Sequence, residues 1–220
     1  MLILAPHPDD ETLGCGGLIA TASALGLRPR VAYLTDGAAS HPGSRAWPPR
    51  RLAGARREEA LAALAILGVG PDDVLFLDWP DAAPFAPGAR PYQQALDALV
   101  DWMGPKGARS VWAPWIGESH CDHVAAAQLA RRLVRRLPPP VTAMSYLVWG
   151  WTEPRLGRVA KRATVRTLRC VRTVQRRRDA LSQHRTQMTS LIDDAPEAFR
   201  IPPELAALTE RPVEVYLRAA

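Results

Sequence analysis

The feature that most constrains the fold is an alternation of short apolar runs with longer helical patterns, kept up from the N-terminus to about residue 148. Leu2–Ala5, Arg30–Thr35, Val74–Asp78, Ser110–Pro114 and Thr142–Val148 are short, apolar and bounded by Gly, Pro or Asp, as strands are. Between them, Gly17–Leu25, Gly54–Leu67, Tyr92–Met103 and Val124–Leu137 show helical periodicity or strong helix formers. Gly68 stands where a left-handed helix end is wanted, and Pro138–Pro140 stops the last of these helices. Strand alternating with helix implies parallel pairing through right-handed crossovers, hence an α/β three-layer αβα sandwich on a mostly parallel sheet. The C-terminal part is less regular. Val165–Cys170 reads as a strand, Gln175–Leu191 as one helix and Val213–Leu217 as a closing strand. With no internal repeat and no low-complexity linker, residues 1–220 are expected to form a single domain.

In an open α/β sheet, ligands bind beyond the carboxyl ends of the strands. Three polar segments fall there: His7–Glu11 after the first strand, Thr35-Asp36-Gly37 after the second and Trp115–His123 after the fourth. The first supplies one imidazole and three carboxylates within five residues, and Pro6 and Pro8 stiffen its path. His120 and His123, three apart at a helix start, share a face. A catalytic zinc takes three protein ligands and a water from such donors. Two ligands from the first cluster and one from the second would leave a carboxylate and a histidine for acid–base work.

Composition narrows the partners. The net charge of +6 and the pI near 9.8 raise the possibility of nucleic-acid binding. Arginine is spread along the chain, however, with no zinc-finger spacing and no RNA-binding aromatic signature, so solvated helix faces are expected and no nucleic-acid partner. Cys15, Cys121 and Cys170 cannot all pair within the chain and form no CxxC, which favours a reducing compartment and hence the cytoplasm. Met1–Ala5 lacks a basic lead and is too short for a signal peptide. Nothing approaches the ~18 apolar residues of a membrane helix.

Ala5-Pro-His-Pro-Asp-Asp-Glu11, followed by Thr-Leu-Gly-Cys-Gly-Gly, resembles the opening of the PIG-L/LmbE-like N-acetyl sugar deacetylases, which include the deacetylases of mycothiol, bacillithiol and GlcNAc-phosphatidylinositol biosynthesis. Thr35-Asp36-Gly37, Arg56 with Glu59, His120-Cys-Asp-His123 and the Arg178–Gln187 segment resemble later elements of that family in the same order. The resemblance implies a Rossmann-like sheet in a single domain and a zinc-dependent hydrolase that removes an N-acetyl group from an N-acetylglucosamine-type substrate, releasing acetate. It implies His7, Asp10 and His123 as zinc ligands and Asp9 as the base that takes a proton from metal-activated water. It further implies His120 as the group that stabilises the oxyanion or protonates the amine, and Asp122 as its orienting partner. Cys121 departs from the proline common in the family. Ferrous iron suits the same His₂Asp ligand set as zinc.

Three further residues are candidates for binding the sugar or glycoconjugate. Asp36 suits either the metal segment or a turn cap. Arg56 suits either a sugar hydroxyl or phosphate, or a pair with Glu59, and His184 either the pocket or the core. Gly14-Cys-Gly16-Gly17 reads as close backbone packing at a helix start, the several Trp residues mostly as core, and the Ser40–Pro49 and Pro80–Pro91 loops as the pocket rim. Competing readings are an amidase acting on another acyl amide, such as an acylated natural product or glycolipid, and a non-catalytic basic binding module. A dinucleotide enzyme is disfavoured because the carboxylates after the first strand would repel a pyrophosphate.

Overall fold

The computed structural model describes residues 1–105, 107–160 and 163–218. Strands β1 (Leu2–Ala5), β2 (Arg30–Thr35), β3 (Val74–Trp79), β4 (Ser110–Pro114), β5 (Thr142–Tyr146), β6 (Thr164–Arg169) and β7 (Val213–Arg218) form one sheet in the order β3-β2-β1-β4-β5-β7-β6. The first five run parallel, β7 is antiparallel to β5, and β6 is antiparallel to β7. Helices α1 (Asp10–Ala24), α2 (Pro49–Leu67), α3 (Arg90–Met103) and α4 (Cys121–Val134) cross between the parallel strands. The short α5 (Leu156–Ala160), α6 (Val174–Leu181), α7 (Arg185–Met188) and α8 (Pro203–Ala206) follow. This is the mostly parallel α/β sandwich that the alternation of elements implies.

The central strand shows why. Every residue of β1 is buried, because both faces of the sheet are covered. Successive side chains point to opposite faces. Ile3 and Ala5 accordingly join one core with Ile19 of α1, Leu64 of α2 and Leu181 of α6. Leu2 and Leu4 join the other with Leu99 of α3 and Leu129 of α4. Burial of each such leucine or isoleucine stabilises the fold by roughly 1.5–3 kcal/mol.

The order of strands also locates a crevice. The chain lays β2 and β3 on one side of β1, then returns to place β4 on the other. The segments leaving the carboxyl ends of β1 and β4 therefore diverge and leave a gap between them, the general position of ligand sites in such sheets.

Several boundaries differ from the sequence expectation. Helix α1 begins at Asp10, not Gly17, so Gly14, Gly16 and Gly17 lie inside it. Each glycine costs about 1 kcal/mol relative to alanine in a helix, but the packing leaves no alternative at two of them. A Cβ on Gly14 would stand 2.3 Å from the Tyr146 ring, and one on Gly17 would stand 2.8 Å from both Cys170 and Glu214. Helix α4 starts at Cys121 and ends at Val134, three residues ahead of the expected span at both ends. The segment Gln175–Leu191 is not one helix. It breaks after Leu181, where the Ser182 hydroxyl and the Gln183 amide both donate to the Asp179 carbonyl. Glu59 then accepts the Thr186 N–H and hydroxyl, which anchors the start of the short α7 from outside. None of the described helices is long and apolar enough to cross a membrane.

Candidate metal centre

His7 lies in the turn between β1 and α1, and its ring meets carboxylates at both nitrogens. Nδ1 is 3.1 Å from Asp10 Oδ2, while Nε2 is 3.1 Å from Asp122 Oδ2 and from Asp81 Oδ1. Asp10 opens α1, and its Oδ2 also accepts the His7 backbone N–H. From the other side of the crevice, His123 of α4 brings Nε2 to 3.2 Å from the same Asp10 oxygen. One donor atom from each of His7, Asp10 and His123 therefore lies within 4.8 Å of the others. The same holds for His7, His120 and Asp122.

The charges are strongly coupled. Burial alone would lower the His123 pKa, but the charge and hydrogen bond of Asp10, with Glu118 behind the ring, overcome it and raise the value to about 9. Burial likewise opposes protonation of His7, and Asp10, Asp122 and Asp81 outweigh it. Asp10 is buried too, yet His123 and His7 hold its carboxyl well below the usual range. In the metal-free chain, protons on His7 and His123 thus offset part of the carboxylate charge of the cluster. His123 Nε2, fully buried, faces Asp10 Oδ2 at 3.2 Å without a well-aligned hydrogen bond to any described residue. Once its proton is lost, this nitrogen presents a lone pair toward Asp10 and His7, a position suited to a cation.

Asp9, the residue before α1, has φ 134°, outside the region that residues with a side chain ordinarily adopt. Holding it there costs on the order of 1–3 kcal/mol. Three contacts fix it. Glu11 Oε2 accepts the Asp9 N–H at 3.0 Å, and one Arg56 nitrogen donates both to the Pro8 carbonyl at 2.8 Å and to Asp9 Oδ2 at 3.0 Å. Burial pushes the Asp9 carboxyl up to about 7, against the pull of Arg56.

His120 caps the N-terminus of α4, where its Nδ1 accepts the Asp122 N–H at 3.2 Å. Its neutral ring therefore carries the proton on Nε2. Burial and the neighbouring rings of His7 and His123 lower its pKa, the reverse of what happens at His123 three residues on. Asp122 stands 3.8 Å from His120 Nδ1, but its nearer partners are His7 Nε2 and the Ala82 N–H.

His7, Asp9, Asp10, Arg56, Asp81 and His120 line one end of a cavity of about 210 Å³. Leu13, Val148, Trp149, Phe199, Ile201 and Leu205 line the other, while Ser40 and Ala82 bring in the two loops expected at the rim. Of the sugar-binding candidates, only Arg56 reaches this cavity. Its guanidinium is committed to Asp9, Pro8 and Gly37 rather than to Glu59. Asp36 is turned away, accepting the Ala38 N–H at 3.0 Å, and lines a separate small depression with Pro8 and Arg57. His184 is fully buried behind Glu11, its Nε2 3.5 Å from Glu11 Oε1. Glu118 and Asp81 were not among the sequence candidates. Their only signal was a carboxylate in a loop following a strand end, which does not say where that loop turns.

No curated protein sequence matches the chain. Its fold is similar to that of N,N'-diacetylchitobiose deacetylase from Pyrococcus horikoshii, at 22% identity over 85% of this chain and 70% of that one, with a TM-score of 0.68. It is similar also to the 4-carboxy-2-hydroxymuconate hydratase from Pseudomonas putida KT2440, at 21% identity over 83% and 77% of the two chains, TM-score 0.67. The zinc inhibited form of teicoplanin deacetylase aligns over 99% of this chain and 98% of that one, at 18% identity and a TM-score of 0.66. These likenesses are of fold, and they include a hydratase. Family membership rests on the sequence itself: residues 2–134 match the PIG-L family, GlcNAc-PI de-N-acetylase, and they span every segment from β1 to α4 that meets at the crevice. The chain belongs to the PIG-L family and is a deacetylase.

Proposed function

We propose that the protein hydrolyses the N-acetyl group of an N-acetylglucosamine-type substrate, using a divalent metal, zinc or ferrous iron, held by His7, Asp10 and His123. The observation that carries this reading is the buried Nε2 of His123 facing Asp10 and His7. The alternative set of His7, His120 and Asp122 is weaker as a ligand set, because His120 Nδ1 is already occupied by the Asp122 N–H. When bound, the metal would polarise the acyl oxygen and acidify water, the Lewis-acid role such ions play in amide hydrolysis.

The remaining work falls to the protein. Asp9 lines the cavity beside the ligands and takes a proton from the attacking water. A base with a pKa near the working pH combines availability with driving force. His120, with its proton on Nε2, donates a hydrogen bond to the acyl oxygen as negative charge develops there. The proton that Asp9 takes from the water is the one the departing amine needs, and Asp9 returns it there, since His120 Nδ1 is engaged by the Asp122 N–H. Arg56 holds Asp9 in place, and Asp122 and Asp81 hold His7. The cavity is smaller than the roughly 300–1,000 Å³ of drug-sized pockets, which suits one sugar-sized group with any aglycone outside.

The apolar wall of Leu13, Val148, Trp149, Phe199, Ile201 and Leu205 favours a second reading, in which the acyl group is longer than acetyl or the amide belongs to a glycolipid or acylated natural product. Carboxylate release measured over N-acetylglucosaminides and their longer N-acyl counterparts, with metal content determined on the same preparation, separates the two. Acetate release from the acetylated sugars supports the first. Release confined to longer chains supports the second, and a metal-loaded protein that cleaves neither excludes both.

A further inference from the structure

Glu118 lies in the loop between β4 and α4, five residues before His123, and is buried although it carries a carboxyl group. Its two oxygens do different things. Oε2 is 2.5 Å from Nδ1 of His123, the ring nitrogen that points away from the metal cluster. Oε1 accepts the N–H of Val148 at 2.7 Å and of Gly150 at 2.9 Å. These two residues bracket Trp149, and both Val148 and Trp149 form the wall of the cavity. The fit is close, since a Cβ on Gly150 would stand 3.0 Å from the same Glu118 oxygen.

We propose that Glu118 is a positioning residue that fixes the His123 tautomer for metal binding and ties that ligand to the cavity wall. A carboxylate at Nδ1 keeps a proton on that nitrogen and so leaves the Nε2 lone pair free toward Asp10 and His7. Ring orientation is set by the same bond. Because the other oxygen accepts the two backbone N–H groups that flank Trp149, one side chain joins the cavity wall to the ligand. Carboxylates that hold a ligand histidine in this way typically contribute about 10–100-fold to metal affinity. The inference rests on the reading of His123 as a ligand, so the test must separate the two.

The variant E118Q does so. The side-chain carbonyl of the introduced glutamine would keep the Val148 and Gly150 N–H bonds, while its amide nitrogen would donate to Nδ1 and force the ring proton onto Nε2. Zinc affinity is measured by chelator competition on the full chain for wild type, E118Q and H123A, with circular dichroism to check folding. The expected result is loss of stoichiometric zinc in H123A and a zinc affinity about 10–100-fold weaker in folded E118Q. A folded E118Q that binds zinc as the wild type does, beside an H123A that does not bind, overturns the role of Glu118. Stoichiometric, tight zinc in H123A overturns the ligand reading instead. Should E118Q fail to fold, E118D, too short to reach the loop and the ring together, replaces it. Wild-type zinc affinity in folded E118D overturns the proposal equally.

Discussion

The two ends of the cavity are built on different principles. At the charged end, polar side chains are fixed by directional bonds to neighbours that are themselves buried: Asp10 by His7 and His123, Asp9 by Arg56 and Glu11, His123 by Glu118. At the apolar end, Trp149 and Phe199 meet at 5.7 Å between ring centroids, and Phe199 remains 37% exposed, so the side-chain contacts there have no fixed direction. Removing one partner of a buried polar network leaves another unsatisfied and costs far more than trimming one face of an apolar wall. On the function proposed above, the comparison assigns the reaction and the choice of substrate to separable parts.

The sharpest break of this contrast is at Asp9. Asp9→Asn should retain metal and lower turnover by about 10²–10⁴-fold, and an unchanged rate beside retained metal would refute the base. Next in size is pH. His123 has a folded pKa of about 9, above its ordinary 6.5. Its contribution to the stability of the metal-free chain is therefore complete below pH 6.5 and lost as the pH rises through 9. Metal must displace that proton, and the one that His7 holds as well, so metal affinity should fall at least about tenfold for each pH unit below about 9. Across pH 6.5–9, melting curves taken with chelator should fall as the pH rises while those taken with metal stay level, so that the gap between them widens; parallel curves would contradict the ligand role.

A smaller effect is expected at Arg56, which pulls the Asp9 pKa down. Arg56→Gln should move the acid limb of the pH–rate profile upward, leaving less active enzyme at neutral pH, whereas an unshifted limb would argue against the pairing. The least is expected from the wall. Phe199→Ala should raise KM by no more than about tenfold, equivalent to about 1.4 kcal/mol, with kcat unchanged. A large loss of kcat there would show that the two ends are not separable after all.

Much of this was legible beforehand, and unevenly. The order of strands and helices through β5 follows from periodicity, and the two histidine-bearing runs meet because parallel strands bring their carboxyl ends to one rim. What the pattern of residues did not carry depends on contacts between distant segments. The glycines of α1 mark a helix start by propensity but its interior in fact, since only Tyr146 and Glu214 explain them. Glu118 and Asp81 reach the histidines by the paths of loops, which have no period to read. Phe199, Ile201 and Leu205 come to the cavity from far along the chain, fixed in part by bonds from the Phe199 N–H to Ser40 and from the Ile201 N–H to Gln187.

The twisted backbone at Asp9 has a consequence for how such chains change over generations. A side chain at φ 134° is a standing burden on the fold, and glycine would lift it at once. The same exchange would leave the buried Arg56 without its carboxylate partner, so relief of the backbone and loss of the ion pair oppose each other at this one residue. Residue 9 is thus held in its twisted backbone by the very partner that its side chain neutralises, and neither can be exchanged alone without cost.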